Sequence, residues 1–216
     1  KLSSLSINIT LSKVVGADKK ETWPQNVIAI VQSWALKAEK EARGHYERQS
    51  AISTAIWLLK SSGQLKLAKD VARREIKKSD SPYYFMSYLG GMEIASKNIK
   101  SGLKLYEQAW NSSQGHATRF QWGSGYIRKL IEHDPSNYKS IRNATLKVFD
   151  ELLKDDDAFF GRNTKRLERL AKSYGQWKKT NPKPFAALHN YLKEKCKLPQ
   201  KNSVQAQCRT WVTQIH

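Results

Sequence analysis

Apolar residues recur three and four positions apart through most of the chain, which is the spacing that places side chains on one face of an α-helix. This spacing predicts eight amphipathic helices, with apolar faces over residues 27–36, 52–59, 65–76, 103–110, 120–131, 141–153, 167–177 and 185–192. Several of these helices have a proline at or near the first turn, where its missing N–H costs no hydrogen bond. These prolines are Pro24, Pro82, Pro135 and Pro184. The sequence therefore predicts an all-α protein.

The amino-terminal segment permits two interpretations. Apolar and polar residues alternate over 4–10, as they do in a β-strand. The apolar positions Leu2, Leu5, Ile9 and Val14 also fit a helical period, and no partner strand is evident. We therefore predict a terminal helix or arm over residues 1–22.

A second pattern repeats with a period of 34 residues, and it is clearest over residues 45–112. Thirty-four residues is the period of the tetratricopeptide unit, in which paired antiparallel helices pack through small residues and successive pairs stack. We therefore predict a tetratricopeptide-like α-α superhelix, although small residues also coincide by chance in alanine-rich helices. The aligned positions are Ile56, Gly63, Ala68, Ala72 and Glu75 with Gly90, Lys97, Gly102, Tyr106 and Ala109.

Composition favours one continuous domain over residues 1–216. The chain is 39% hydrophobic, which suits a substantial core, and its 11 Gly and 6 Pro lie mostly between the periodic stretches. No linker of biased composition divides it. No window approaches the roughly 20 apolar residues that span a bilayer, so we expect no membrane span.

The aromatic residues have two interpretations. Most lie on the apolar faces, where they would join helices together as part of the core. A smaller set beside helix turns could instead bind a protein or peptide on a concave face. The candidate partner-binding residues are Tyr83, Tyr84, Phe85, Arg119 and Trp122.

Positive charge is the second strong feature, with 38 Lys and Arg against 19 Asp and Glu, a formal excess of +19. One predicted helix carries a basic face opposite its apolar face, at Arg162, Lys165, Arg166, Arg169 and Lys172. This face is either an ordinary solvated surface or a binding site for a polyanion or an acidic partner. Nucleic acid is the less favoured partner, because no helix-turn-helix, zinc-knuckle or RNP-like motif is present.

Catalytic motifs are scarce. The five His are scattered, and no two of them have the spacing of a helical metal site. The three aspartates at 155–157 are consecutive, whereas a calcium loop needs ligands at alternate positions. No phosphate-binding loop or nucleophile elbow appears. We therefore expect no enzymatic activity, cofactor or metal, although distant helices could assemble a site, for instance from His116 and Arg119 near Glu93 and Glu132.

The two cysteines, Cys196 and Cys208, are too far apart for a redox pair of the Cys-x-x-Cys type. The favoured interpretation is a structural disulfide that staples a terminal helix over 196–216, which requires an oxidising compartment. The alternative is two free thiols in a reducing cytosol.

Several segments together resemble the helical carboxyl-terminal region of exported bacterial thioredoxin-family proteins. The matching segments are YERQ at 46–49, SPYYFM at 81–86, ATRFQWG at 117–123, GRN at 161–163, RLERL at 166–170, and the tail CKLP at 196–199 with Cys208. In such proteins a thioredoxin domain with its Cys-x-x-Cys lies upstream, and that motif is absent here. The resemblance implies a non-catalytic interaction domain in the periplasm or otherwise exported, which recruits or positions a protein partner such as a thiol-disulfide client. A basic module for polyanions or nucleic acid is the alternative function.

Overall fold

The computed structural model describes residues 23–198 and 202–215. These residues form ten α-helices and one short 3₁₀ helix, with no strand among them. The helices are α1 (Gln25–Glu41), α2 (His45–Ser61), α3 (Leu65–Ile76), α4 (Pro82–Ala95), α5 (Ile99–Ser112), α6 (His116–His133), α7 (Tyr138–Leu152), α8 (Thr164–Thr180), α9 (Pro182–Lys195) and α10 (Asn202–Thr213), and the 3₁₀ helix is Gly161–Asn163. The all-α prediction is confirmed.

Each of the eight predicted apolar stretches lies in a helix of its own, apart from Leu153, which follows the last residue of α7. The helix α4 was not among them, because its sequence is apolar almost all round and has little amphipathic contrast. In the structure Phe85, Leu89 and Met92, which lie four and three residues apart, form a single buried face. The predicted arm over 1–22 lies outside the described residues.

The chain divides into two compact units, Lys1–Leu105 and Tyr106–His216, with the boundary inside α5. The single domain expected from the sequence stays a prediction.

In the first unit, α1 packs on α2, α2 on α3 and α3 on α4, and α2 also contacts α4. Contact between a helix and the next helix but one is the arrangement of stacked helix pairs. The core of this unit is aliphatic at its centre, with Ile52, Leu58 and Leu59 of α2 fully enclosed. The packing agrees with an all-helical repeat, while its tetratricopeptide identity stays a prediction.

Two turns in equivalent places support the 34-residue spacing. Gly63 follows α2 with a φ of 82°, and Lys97 follows α4 with a φ of 68°. After each, the next N–H reaches back to a carbonyl five residues earlier, Gln64 to Leu59 at 2.7 Å and Asn98 to Glu93 at 2.9 Å. Both turns are thus Schellman-type helix ends with a left-handed residue, the conformation that favours glycine.

The close contact between α4 and α5 explains why Gly102, another position of the repeat, is a glycine. A Cβ atom placed on Gly102 of α5 would lie 2.5 Å from Cγ1 of Ile94 and 2.7 Å from the carbonyl oxygen of Gly90. No side chain fits between the two backbones at this point, so α4 and α5 can approach closely only with glycine here.

In the second unit, α6 packs on α7 and α8, α9 packs on α8, and α10 packs on both α8 and α9. Gly123 of α6 lies where a Cβ would be 2.5 Å from Cγ2 of Val148, so it admits α7 closely. At the neighbouring Gly125 a Cβ would meet nothing within 4 Å. The two glycines therefore have different roles.

The terminal helix is held by covalent and aromatic contacts. Cys196 and Cys208 form a disulfide with a Cα–Cα distance of 5.4 Å. Trp211 stacks on Phe149 with ring centres 4.9 Å apart, and its indole N–H donates to the carbonyl of Leu167 at 3.0 Å. The staple expected from the sequence is present in the part of the terminal helix that the structure describes.

Candidate anion-binding cleft

The orientation of α8 follows from its sequence. Its apolar stripe at Leu167, Leu170, Tyr174 and Trp177 is buried against the rest of the second unit. The opposite side of the helix therefore faces outward, and Arg162 just before the helix, with Lys165, Arg169 and Lys172, is exposed. The helical spacing of the basic face is as predicted.

The basic face forms one wall of a cleft with a volume of about 560 Å³. Four of its five residues line this cleft, and Lys172 does not. The other wall comes from α6 and contributes a fifth cation, Arg128. The full lining is Gln121, Ser124, Gly125, Arg128, Gly161, Arg162, Lys165, Arg166 and Arg169.

The described residues give little counter-charge to the cleft. Among them, no carboxylate lines it. Within residues 23–198 and 202–215, no ion pair involves Arg128, Arg162, Lys165 or Arg169. The amino-terminal end of α8 also lies here, and its helix dipole adds partial positive charge. The cleft therefore combines five cations with the positive end of a helix.

One guanidinium joins the two walls. Arg166 donates to the carbonyl of Arg162 at 2.6 Å and to the side-chain oxygen of Gln121 at 2.5 Å. This hydrogen-bonded bridge connects α8 to α6 and restricts the movement of the two walls of the cleft relative to each other. The Nε atom of Arg128 is buried and has no hydrogen-bond partner among the described residues, which is a cost that proteins usually avoid.

A second groove adjoins the cleft and shares Arg128 with it. This groove has a volume of about 360 Å³ and is lined by Arg128, Ile131, Glu132, Pro135, Ser173, Gln176, Trp177 and Thr180. The indole N–H of Trp177 donates to the carbonyl of Pro135 at 2.8 Å and connects α8 to the end of α6. The α6–α8 groove, meaning both parts together, thus follows the two helices side by side.

Glu132 is the single carboxylate that lines the α6–α8 groove in the part of the chain that the structure describes. Lys129 donates to it at 2.7 Å, and His133 lies 3.3 Å away. The hydrogen bond from Lys129 lowers the pKa of Glu132 below its ordinary value. Because Glu132 is paired with Lys129, its negative charge is largely balanced, and this end of the groove is close to neutral, in contrast to the basic end.

The predicted aromatic partner-binding residues occupy different environments. Phe85 is 0% exposed and belongs to the core of the first unit, so it is corrected to a packing residue. Tyr83 and Tyr84 are half-buried, with their rings 5.0 Å apart, and the hydroxyl of Tyr83 donates to Ser81 at 3.1 Å. Trp122 is half-buried on α6.

The prediction that Arg119 contacts a partner also needs correction. Arg119 acts as an internal clamp, meaning a side chain whose contacts join neighbouring helices. Its guanidinium pairs with both oxygens of Glu151, at 2.9 and 2.7 Å. It also donates to the carbonyls of Trp110 and Ser113 at the end of the preceding helix. All of these contacts lie within the second unit, and they consume the donors that a partner would need.

Arg48 makes the same set of contacts in the first unit. It pairs with both oxygens of Glu75 and donates to the carbonyls of Glu39 and Ala42. The sequence signal for this clamp is the repeated motif Gly-His-x-x-Arg at 44–48 and 115–119, in which both glycines have a φ near +75° (74° and 77°). We did not predict this motif from the sequence.

The structure also brings together a serine, a histidine and an aspartate. His45 lies 3.3 Å from the hydroxyl of Ser81 and 3.4 Å from Asp80. A nucleophilic triad needs an accessible serine and an enclosed carboxylate. Here the opposite holds, because Ser81 is buried and the side chain of Asp80 is 88% exposed. The cluster is therefore better described as a polar network that fixes the start of α4.

The enzyme site considered from distant helices is not assembled within the second unit. Arg119 pairs with Glu151, while Glu132 pairs with Lys129. The described residues hold no group of three metal-ligating side chains. Over the same ranges, none of the helices has the length and apolarity needed to cross a bilayer. Comparisons with protein-family models, curated proteins and solved structures find no match to this chain.

Proposed function

We propose that this chain is a non-catalytic helical-repeat interaction domain that binds an anionic partner in the basic cleft between α6 and α8. The observation that carries the proposal is that five cationic side chains line one cleft, while none of the described residues contributes a carboxylate to its lining. Like charges crowded in this way repel each other, and a bound anion relieves that repulsion.

The chemistry of the cations fits recognition of oxyanions. Four of the five are arginines, whose planar guanidinium can donate two parallel hydrogen bonds to a carboxylate or phosphate. The net charge of +19 would also accelerate encounter with an anionic partner at low salt. Binding would therefore be sensitive to salt, because exposed charges are screened over about 8 Å at physiological ionic strength.

The cellular setting is a second part of the proposal. We propose an exported location, because a disulfide such as Cys196–Cys208 persists in oxidising compartments. The resemblance to the helical region of thioredoxin-family proteins would make the partner a client or component of thiol-disulfide exchange. A thioredoxin domain encoded directly upstream would support this setting, and a cytosolic location of the protein would contradict it.

Removal of charge from the cleft tests the binding site. The double variant Arg162→Gln/Arg169→Gln removes two charges from the cleft, while Lys139→Gln/Lys147→Gln removes two exposed charges from α7. On a heparin column, we expect the cleft variant to elute at clearly lower salt than both wild type and the α7 variant. Circular dichroism checks that all three are folded. Equal elution of the two variants would mean that net charge, not the cleft, governs binding.

A further inference from the structure

We infer that the partner of this cleft is a linear polypeptide segment, acidic at one end and uncharged at the other, lying along the α6–α8 groove. This inference rests on the proposed function, since it specifies the ligand of the same site. It is carried by the shape of the groove, the uneven distribution of its charge and the chemistry of its walls.

The groove is linear because each wall is one stripe of a helix. On the α6 side the lining residues follow at intervals of three and four from Gln121 to Glu132, with Pro135 just after the helix, and those on the α8 side do so from Arg162 to Thr180. The longer wall corresponds to about 27 Å at the helical rise of 1.5 Å per residue. An extended peptide rises about 3.3 Å per residue, so about eight residues would fill the groove.

The charge of the groove changes along its length. Four of the five cations lie at the end where α8 begins, from Arg162 to Arg169, and the fifth, Arg128, faces them from α6. Beyond Arg128, Glu132 is the one charged residue in the lining that the structure describes, and it is paired with Lys129. Nucleic acid carries evenly spaced phosphates, so a strand that filled the groove would place some of them against Glu132. A polypeptide can be acidic at one end only and match both halves.

The walls also offer little to nucleic acid bases. Within residues 23–198 and 202–215, no aromatic side chain lines the basic half. Trp177, in the far half, is 2% exposed, and its N–H is already bonded to Pro135. Proteins that bind single strands without sequence preference stack bases on exposed aromatic rings. The groove therefore provides charge and hydrogen bonds without a stacking platform.

The basic half predicts the spacing of the acidic residues. The stretch from Arg162 to Arg169 covers about 10 Å of helix. Alternate residues of an extended peptide face the same side and lie about 7 Å apart. Two or three acidic residues at alternate positions would therefore face the cations.

The test uses the full chain and three fluorescein-labelled probes of equal formal side-chain or phosphate charge, followed by fluorescence anisotropy. The clustered peptide has ten residues with Glu at its first, third and fifth positions and neutral polar residues elsewhere. The dispersed peptide has the same composition with Glu at the first, fifth and ninth positions. The third probe is a four-nucleotide oligothymidylate with three phosphates.

We expect the clustered peptide to bind about tenfold more tightly than the dispersed peptide and the oligonucleotide. Arg162→Gln/Arg169→Gln should weaken its binding at least tenfold, because charge-assisted bonds are lost. Lys139→Gln/Lys147→Gln should leave binding within about twofold of wild type. Glu132→Lys, which reverses charge at the far end, should reduce the preference for the clustered peptide to about threefold or less.

The outcomes separate the inference from the proposed function. If the oligonucleotide binds best and the cleft variant abolishes that binding, the cleft is an anion site but the peptide assignment is wrong. Equal affinity for the two peptides, or an unchanged preference for the clustered peptide in Glu132→Lys, would contradict the prediction that the acidic residues of the partner lie at one end of the groove. If none of the probes binds, or if the cleft variant binds all of them like wild type, the proposed function fails as well.

Discussion

Arg48 and Arg119 show how one side chain can join three consecutive helices. Each is the fourth residue of its helix, donates to carbonyls at the end of the helix before, and pairs with a glutamate that is the next-to-last residue of the helix after. In the first unit the glutamate, Glu75, is 0% exposed. A buried carboxylate of this kind depends on its partner, because water cannot replace the lost bonds.

Arg48→Met should therefore lower the free energy of unfolding by about 3 kcal/mol or more, since it leaves Glu75 buried without its cation. Urea denaturation measures this loss. The control Lys37→Met removes one partner of an exposed ion pair and should cost less than about 0.5 kcal/mol. The double variant Arg48→Met/Glu75→Met should recover part of the loss. A single variant as stable as wild type would contradict the clamp.

Lys97 adopts a backbone conformation that suits glycine, at the position where the other repeat has Gly63. Lys97→Gly should raise the free energy of unfolding by about 0.5–1 kcal/mol, because the steric cost of a Cβ in the left-handed region disappears. The reciprocal change Gly63→Lys should lower it by about 1 kcal/mol. Destabilisation by both substitutions would show that the two turns are not equivalent.

Glu93 links stability to pH. Its side chain accepts hydrogen bonds from Asn98 at 2.8 Å and from Lys69 at 3.1 Å, and Arg73 lies 3.0 Å away. The hydrogen bond from Asn98, with those cations, lowers its pKa below 4.5 although burial opposes the shift. A lowered folded-state pKa means that the contribution of Glu93 is complete above about pH 5 and is lost as pH falls through the folded value.

Glu93→Gln should therefore reduce the free energy of unfolding at pH 7 and make the loss of stability between about pH 5 and pH 3 less steep than in wild type. Urea denaturation at a series of pH values measures both effects. Glu168→Gln, at an exposed position of α8, is the control and should reproduce the wild-type curve. An unchanged acid slope in Glu93→Gln would contradict the role of this carboxylate.

At the scale of elements, the helices were predictable because their apolar faces repeat at the helical period. The basic face, which includes Arg162 and Arg169, could be predicted from the same period, because the opposite side of α8 is apolar. The second wall of the cleft could not be predicted from the sequence, because Arg128 lies on α6. Only the packing of α6 beside α8 brings Arg128 near the basic face. Phe85 was misjudged because α4 is apolar on several sides, so its sequence does not mark which side is buried.

The disulfide acts on the terminal element of the second unit. It closes a loop with a sequence separation of 12 residues, which corresponds to about 3 kcal/mol in the chain-entropy model. Cys196→Ala/Cys208→Ala should lower the free energy of unfolding by about 2–3 kcal/mol. Because Trp211 still packs on Phe149, the near-ultraviolet circular dichroism of the folded state should change little. Unchanged stability, or loss of the tryptophan signal, would contradict this account of α10.

At the scale of the whole molecule, the net charge of +19 is less informative than its distribution. Several carboxylates of the described residues are engaged in ion pairs within helix bundles, such as Glu75 with Arg48 and Glu151 with Arg119. The cations of the α6–α8 cleft have no such compensation from the residues that line it. The excess charge therefore has a specific site as well as a general effect on solubility and encounter.

The most direct test of the central claim is to map where an anion binds. Two-dimensional amide NMR spectra of the full chain, titrated with the clustered acidic peptide, report the residues whose environment changes. We predict the largest shifts in 121–128 and 161–169, smaller shifts in 131–135 and 173–180 where the uncharged end of the peptide would lie, and little change in the rest of the chain. Shifts confined to other helices, or none at saturating peptide, would contradict it.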